Sequence, residues 1–182
     1  MKNALYLFVL LLVLAACGRQ TYPLNPPQQS FYKSVSALCG KSYKGTTVFP
    51  EDDKDPFAGK ELVMHVQTCS DTTIRIPFHV GEDKSRTWVL RKTAEGLQLK
   101  HDHRHEDGSP DEVTMYGGIA LATDDKLAQR FPADAFTAQL IPAASTNEWT
   151  MELSPDGNTF SYILKRDNQL RFRADFDLTK PL

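Results

Sequence analysis

The sequence predicts an all-β protein: an antiparallel barrel of about eight to ten strands preceded by one short helix. Three observations predict it. After Gly40 the apolar residues recur with period two, in about nine short segments. Turn residues separate those segments at regular spacing. No strand–helix–strand spacing occurs, which argues against a parallel sheet, and no internal repeat is visible.

The elements follow in chain order. Met1-Lys2-Asn3 places one positive charge at the extreme N-terminus, and Ala4 to Leu14 carries no charged side chain. This is the pattern of an export leader, too short for a spanning helix, which needs about 20 apolar residues. The run ends Leu14-Ala15-Ala16-Cys17. That quartet resembles the bacterial lipobox at all four positions. The resemblance implies cleavage after Ala16, a diacylglyceryl thioether on Cys17 and acylation (palmitate or a similar chain) of the new amino group. Two or more acyl chains hold a protein firmly to a bilayer, at about 0.8 kcal/mol per buried CH₂. Gly18 follows where an aspartate would favour the inner membrane. By that resemblance the address is the outer membrane, with the domain in the periplasm or displayed at the surface.

Removal of residues 1–16 takes away one lysine, and the 23 acidic residues still outnumber the basic ones. The basic residues are scattered, which excludes a nucleic-acid or lipid-headgroup patch. Residues 17–30 read as a lipidated, flexible tether containing Pro23, Pro26 and Pro27. Residues 31–182 read as a single domain. With Cys17 lipidated, Cys39 and Cys69 remain as an even pair in an oxidising compartment, and a disulfide between them is expected.

Ser30 is read as the N-cap of a short helix with Phe31, Val35 and Leu38 on one face and Gly40 as its stop. Strands are then expected over 61–69, 72–80, 86–92, 97–106, 112–117, 136–141, 148–153, 159–166 and 170–178. A second short helix is expected over 123–130. Gly117-Gly118 is read as a bulge or turn.

A short helix, then Gly40-Lys41-Ser42-Tyr43-Lys44-Gly45, then a meander of hairpins resembles the opening of lipocalin-like barrels. The tract Lys100–Gly108 followed by Thr114-Met115-Tyr116-Gly117-Gly118 also resembles uncharacterised bacterial secreted proteins. The lipocalin likeness implies small-ligand binding, although a fold does not fix a function.

The most distinctive segment is His101-Asp102-His103-Arg104-His105-Glu106-Asp107. On a strand the three histidines share one face, about 6.8 Å apart in succession. Two at i and i+2 could hold one zinc or copper ion. The outer pair lies about 13 Å apart, so a full site needs a further ligand, with His65, His79 or Glu112 as candidates. The same residues fit a solvated hairpin end, or a ligand-lining face. Pairing of Glu106 with Asp111 would set His103 opposite Thr114 among polar neighbours. Pairing with Glu112 would set it opposite Met115 and turn the histidines inward.

Trp88, Trp149, Tyr116 and Tyr162 are candidates to line an apolar cavity or to fill the core. Arg75, Arg91, Arg171 and Arg173 are candidates to hold a carboxylate or phosphate if they face inward. No G-x-S-x-G, H-E-x-x-H or P-loop pattern occurs. No catalytic residue is assigned, although a spatial histidine-assisted triad stays open. Three readings result: a membrane-anchored barrel binding a small apolar or amphipathic ligand, a periplasmic zinc or copper protein, and a structural or partner-binding envelope lipoprotein.

Overall fold

The computed structural model describes residues 22–50, 55 and 57–182. The leader, Cys17 and the first part of the tether lie outside the described residues. The chain enters through helix α1 (Pro26–Ser36), which starts earlier than the sequence reading placed it. Its cap is Asn25, not Ser30: the Asn25 side chain accepts a hydrogen bond from the Gln28 amide at 2.9 Å. Pro26 and Pro27, read as tether, occupy the first turn, where their missing N–H groups cost nothing.

Eleven strands follow: β1 (Ser42–Phe49), β2 (Leu62–His65), β3 (Thr68–Cys69), β4 (Thr73–Val80), β5 (Asp83–Thr93), β6 (Gly96–His103), β7 (Tyr116–Ile119), β8 (Ala128–Pro132), β9 (Asn147–Leu153), β10 (Thr159–Arg166) and β11 (Gln169–Pro181). Apart from the small β3, which pairs with β4, the sheet order is β7-β6-β5-β4-β2-β1-β11-β10-β9-β8. Neighbours in this order pair antiparallel, consecutive in the chain except where β1 joins β11 and where β2 pairs β4 past the small β3. This is an up-and-down meander nearly closed into a barrel.

The seam that lacks a ladder lies between β7 and β8. Single bonds bridge it: the Asp134 amide to the Gly117 carbonyl and the Leu121 amide to the Arg130 carbonyl, both 2.9 Å. Gly117-Gly118 makes this approach sterically feasible. A β-carbon on Gly118 would lie 1.8 Å from the Pro132 carbonyl oxygen, and one on Gly117 would lie 2.0 Å from that of Leu99. The pair is thus a place of close backbone contact.

Period two sets the interior. Ile74, Ile76, Phe78 and Val80 of β4 point inward, as do Trp149, Met151 and Leu153 of β9 and Phe172, Ala174 and Phe176 of β11. Helix α1 packs Phe31, Tyr32 and Val35 onto one end of this core. Gln28 fixes it there by accepting a hydrogen bond from the Leu97 amide at 3.2 Å. The expected Cys39–Cys69 disulfide is present, with Cα atoms 6.2 Å apart, and ties the helix exit to β3.

Two expected elements exchange identity. Residues 136–141, expected as a strand, fall largely in helix α2 (Ala135–Leu140). Asp134 caps it by accepting from the Thr137 amide at 2.8 Å, a local bond that outweighs the apparent alternation. Residues 123–130, expected as a helix, instead turn and enter β8. The Asp125 carboxylate takes the amides of Leu127 and Ala128, which stops a helix from starting. The strand expected over 112–117 begins only at Tyr116. Residues 104–115 form a long loop held by an isolated Arg104–Pro110 bridge.

Candidate functional site: an aromatic cavity with arginines at its mouth

The end of the barrel opposite α1 is hollow. A cavity of about 340 Å³ opens there. Its walls come from the ends of β4, β5, β6, β7, β9, β10 and β11, with Phe57 on one side and Ile141 and Ala144 on the other.

Strand alternation aims the aromatics into it. Phe78 stacks on Trp88 with centroids 4.6 Å apart and planes 16° from parallel. Trp88 stacks in turn on Tyr162 at 4.4 Å and 20°. Three rings from β4, β5 and β10 thereby form one stacked column with Trp88 in the middle. Tyr116 lies parallel to the His101 ring at 4.6 Å, and Trp149 closes against both.

His101 is 3 % exposed and belongs to this wall. Its Nδ1 lies 3.1 Å from the Tyr116 carbonyl oxygen, which can only accept. Nδ1 therefore carries the proton, and Nε2 accepts from the Tyr162 hydroxyl at 2.7 Å. Burial pushes the His101 pKa down to about 3, against the pull of the Tyr116 carbonyl. The imidazole is neutral at physiological pH. Burial also holds the Tyr162 hydroxyl well above its ordinary value, and that of Tyr116 at about 12, so both stay protonated. The Tyr116 hydroxyl lies 3.0 Å from His103 Nε2. Burial, then the nearby Arg86, lowers the His103 pKa.

Three arginines rim the cavity. Arg86 pairs with Asp83 and lies over the Phe57 ring at 5.5 Å. Arg166 donates from Nε to the Asn147 side-chain oxygen at 2.8 Å. Arg171 reaches the mouth from the start of β11. Among the described residues no aspartate or glutamate lines the cavity.

Of the residues singled out in the sequence, Trp88 and Tyr116 lie in this wall with Trp149, Tyr162, His101 and His103. Arg75 and Arg91 do not. Both stand on the outer face of their strands, out of phase with Ile74, Ile76, Trp88 and Leu90. Arg91 is exposed, and Arg75 binds the Asp102 carboxylate at 2.7 Å. Arg104 holds the other oxygen of Asp102 at 2.8 Å. Burial alone would raise the Asp102 pKa, but the bonds from Arg75 and Arg104 outweigh it and leave the carboxyl below its ordinary value. Arg173 also faces outward, bound to Asp175.

The four histidines of the metal reading are not brought together. His101 and His103 engage tyrosines, while His105 is exposed on the loop. His65 sits on the outer wall, where its Nε2 lies 2.9 Å from His79 Nδ1 and its Nδ1 lies 2.6 Å from the Ser42 hydroxyl. Among the described residues no three histidine, cysteine or acidic side chains are grouped to hold an ion.

The β6–β7 ladder runs in the first of the two registers considered, the one that sets His103 opposite Thr114. His101 faces Tyr116, and the ladder ends before Glu106. His101 is buried because it continues the Leu97–Leu99 face of its own strand, whatever the partner's register. Sequence reasoning missed Arg86, Asn147 and Arg166. Their signal was parity: Arg86 precedes the inward Trp88 by two, and Asn147 precedes Trp149 by two.

No protein-family model, curated protein or solved structure matches the chain.

Proposed function

We propose that this chain is a membrane-anchored lipoprotein of the outer membrane whose barrel, on the periplasmic side, binds a small apolar or amphipathic ligand. The observation that carries the binding part is the cavity itself. Its volume of about 340 Å³ falls within the usual range for small-molecule sites, roughly 300–1,000 Å³. An aromatic wall with a few fixed polar groups is also the usual make-up of such sites. The anchoring part rests on Leu14-Ala15-Ala16-Cys17. Because α1 starts at Pro26, the link from Cys17 is short: residues 18–25 reach at most about 28 Å. The cavity end, opposite α1, then points away from the membrane-proximal end of the domain.

Two measurements test this reading. Metabolic labelling with radioactive palmitate should label the native chain and not Cys17→Ala; labelling of both, or of neither, contradicts the anchor. Native mass spectrometry of chain gently extracted from its own envelope should show one adduct of a few hundred daltons that denaturation releases. A chain that carries no adduct, and takes none up from a total envelope lipid extract, contradicts the carrier reading.

A further inference from the structure

The geometry points to an amphipathic anion as the ligand: an apolar body inside the aromatic cavity, with an acidic oxygen head at Arg166 and Arg171. This rests on the carrier reading above and narrows it. Charge is segregated in this molecule. The chain is net negative, yet among the described residues its cavity is lined by three arginines and no acidic residue. Arg86 is neutralised by Asp83. The Arg166 partner, Asn147, is uncharged. Among the described residues Arg171 has no acidic partner within ion-pair distance. Two guanidinium groups, the half-buried Arg166 and the exposed Arg171, therefore present uncompensated charge at the mouth of an apolar cavity, where each can donate charge-assisted hydrogen bonds to an anion.

The interior fixes the orientation. A charged head buried at the floor would need a cationic donor there, and the tyrosine and histidine donors present are engaged with one another. The Tyr162 hydroxyl donates to His101, the His101 Nδ1–H faces the Tyr116 carbonyl, and the Tyr116 hydroxyl is engaged with His103. His101, held neutral, offers no positive charge at depth. Free cationic donors occur at the mouth, so the head belongs there and the apolar body inside.

A matched pair of probes tests this on the full chain carrying Cys17→Ser, which removes the acylation site. The probes are 8-anilinonaphthalene-1-sulfonate and the neutral N-phenyl-1-naphthylamine, which share a ring system and differ by the sulfonate. Both tryptophans of the chain, Trp88 and Trp149, line the cavity, so energy transfer from tryptophan to probe reports occupancy directly. The anionic probe should bind about tenfold tighter or more, with a preference that falls as salt is raised. Arg171→Gln loses no internal bond and should reduce the preference; adding Arg166→Gln should abolish it. Arg130→Gln, exposed on the outer wall, should keep it. Equal binding of the two probes overturns the anionic head and leaves the carrier reading standing. Binding of neither overturns both. An equal loss in Arg130→Gln reduces the effect to general surface charge and overturns the head. Displacement of the probe by an equal concentration of inorganic phosphate makes this a bare-anion site and overturns the apolar body.

Discussion

Lowering the pH should destabilise this protein through His101, by an amount the structure sets. The unfolded chain has an ordinary histidine near pH 6.5, whereas burial puts the folded one at about 3. Between those values the unfolded state binds a proton that the folded state refuses. Stability is therefore complete above about pH 6.5 and is lost as the pH falls towards 3. The slope is about 1.4 kcal/mol per pH unit. Going from pH 7 to pH 4.5 should remove about 2–3 kcal/mol, and reaching pH 3 about 4. The assay is urea unfolding at several pH values, followed by tryptophan fluorescence, for the parent and for His101→Gln. Glutamine can donate to the Tyr116 carbonyl and accept from Tyr162 but does not titrate. Carboxylates such as Asp83 and Asp102 are common to both proteins and cancel in the difference. The two stability curves should converge as the pH falls from 6.5 to 4.5. Curves that stay parallel over that range would refute the buried, neutral imidazole.

Cys39→Ser should lower stability by about 3–4 kcal/mol, the chain-entropy value for a loop of this length; unchanged melting under oxidising conditions would contradict it. Gly118→Ala should cost about 3 kcal/mol or more, or prevent folding, because the new methyl group meets the Pro132 carbonyl oxygen across the seam. Gly157→Ala is the control: its φ of 72° is strained for alanine but the space is open, so the cost should be about 1 kcal/mol. Urea unfolding ranks the two variants, and equal losses would mean that the seam is not tight.

The barrel was legible because alternation along strands such as Thr73–Val80 is a local property, and hairpin turns such as Asp167-Asn168, both at positive φ, mark their ends. Four of the cavity aromatics, Trp88, Tyr116, Trp149 and Tyr162, were legible for the same reason. Where local side-chain bonds compete with pattern, the reading failed. Asp134 capped a helix over residues that alternate like a strand, and Asp125 broke a helix over residues that look helical. The arginines show a further limit. Arg75 and Arg91 were candidates as cations among apolar residues, yet parity with Ile74 and Trp88 places them outside. Arg86 and Arg166 face the cavity in phase with Trp88 and with Tyr162 and Leu164, a parity signal that was present but passed over. The histidine triplet looked like one unit in sequence. In the fold its members divide into a wall residue, a rim residue and a loop residue, because β6 ends at His103.

The central claim is that the barrel is hollow at one end and that this space takes a small molecule. Titration of the Cys17→Ser chain with N-phenyl-1-naphthylamine, read by energy transfer from Trp88 and Trp149, tests it most directly. The account predicts saturation at one probe per chain, weakened in Ala144→Leu, where a larger side chain intrudes on the cavity. A signal that never saturates, or one that saturates identically in that variant, would contradict it.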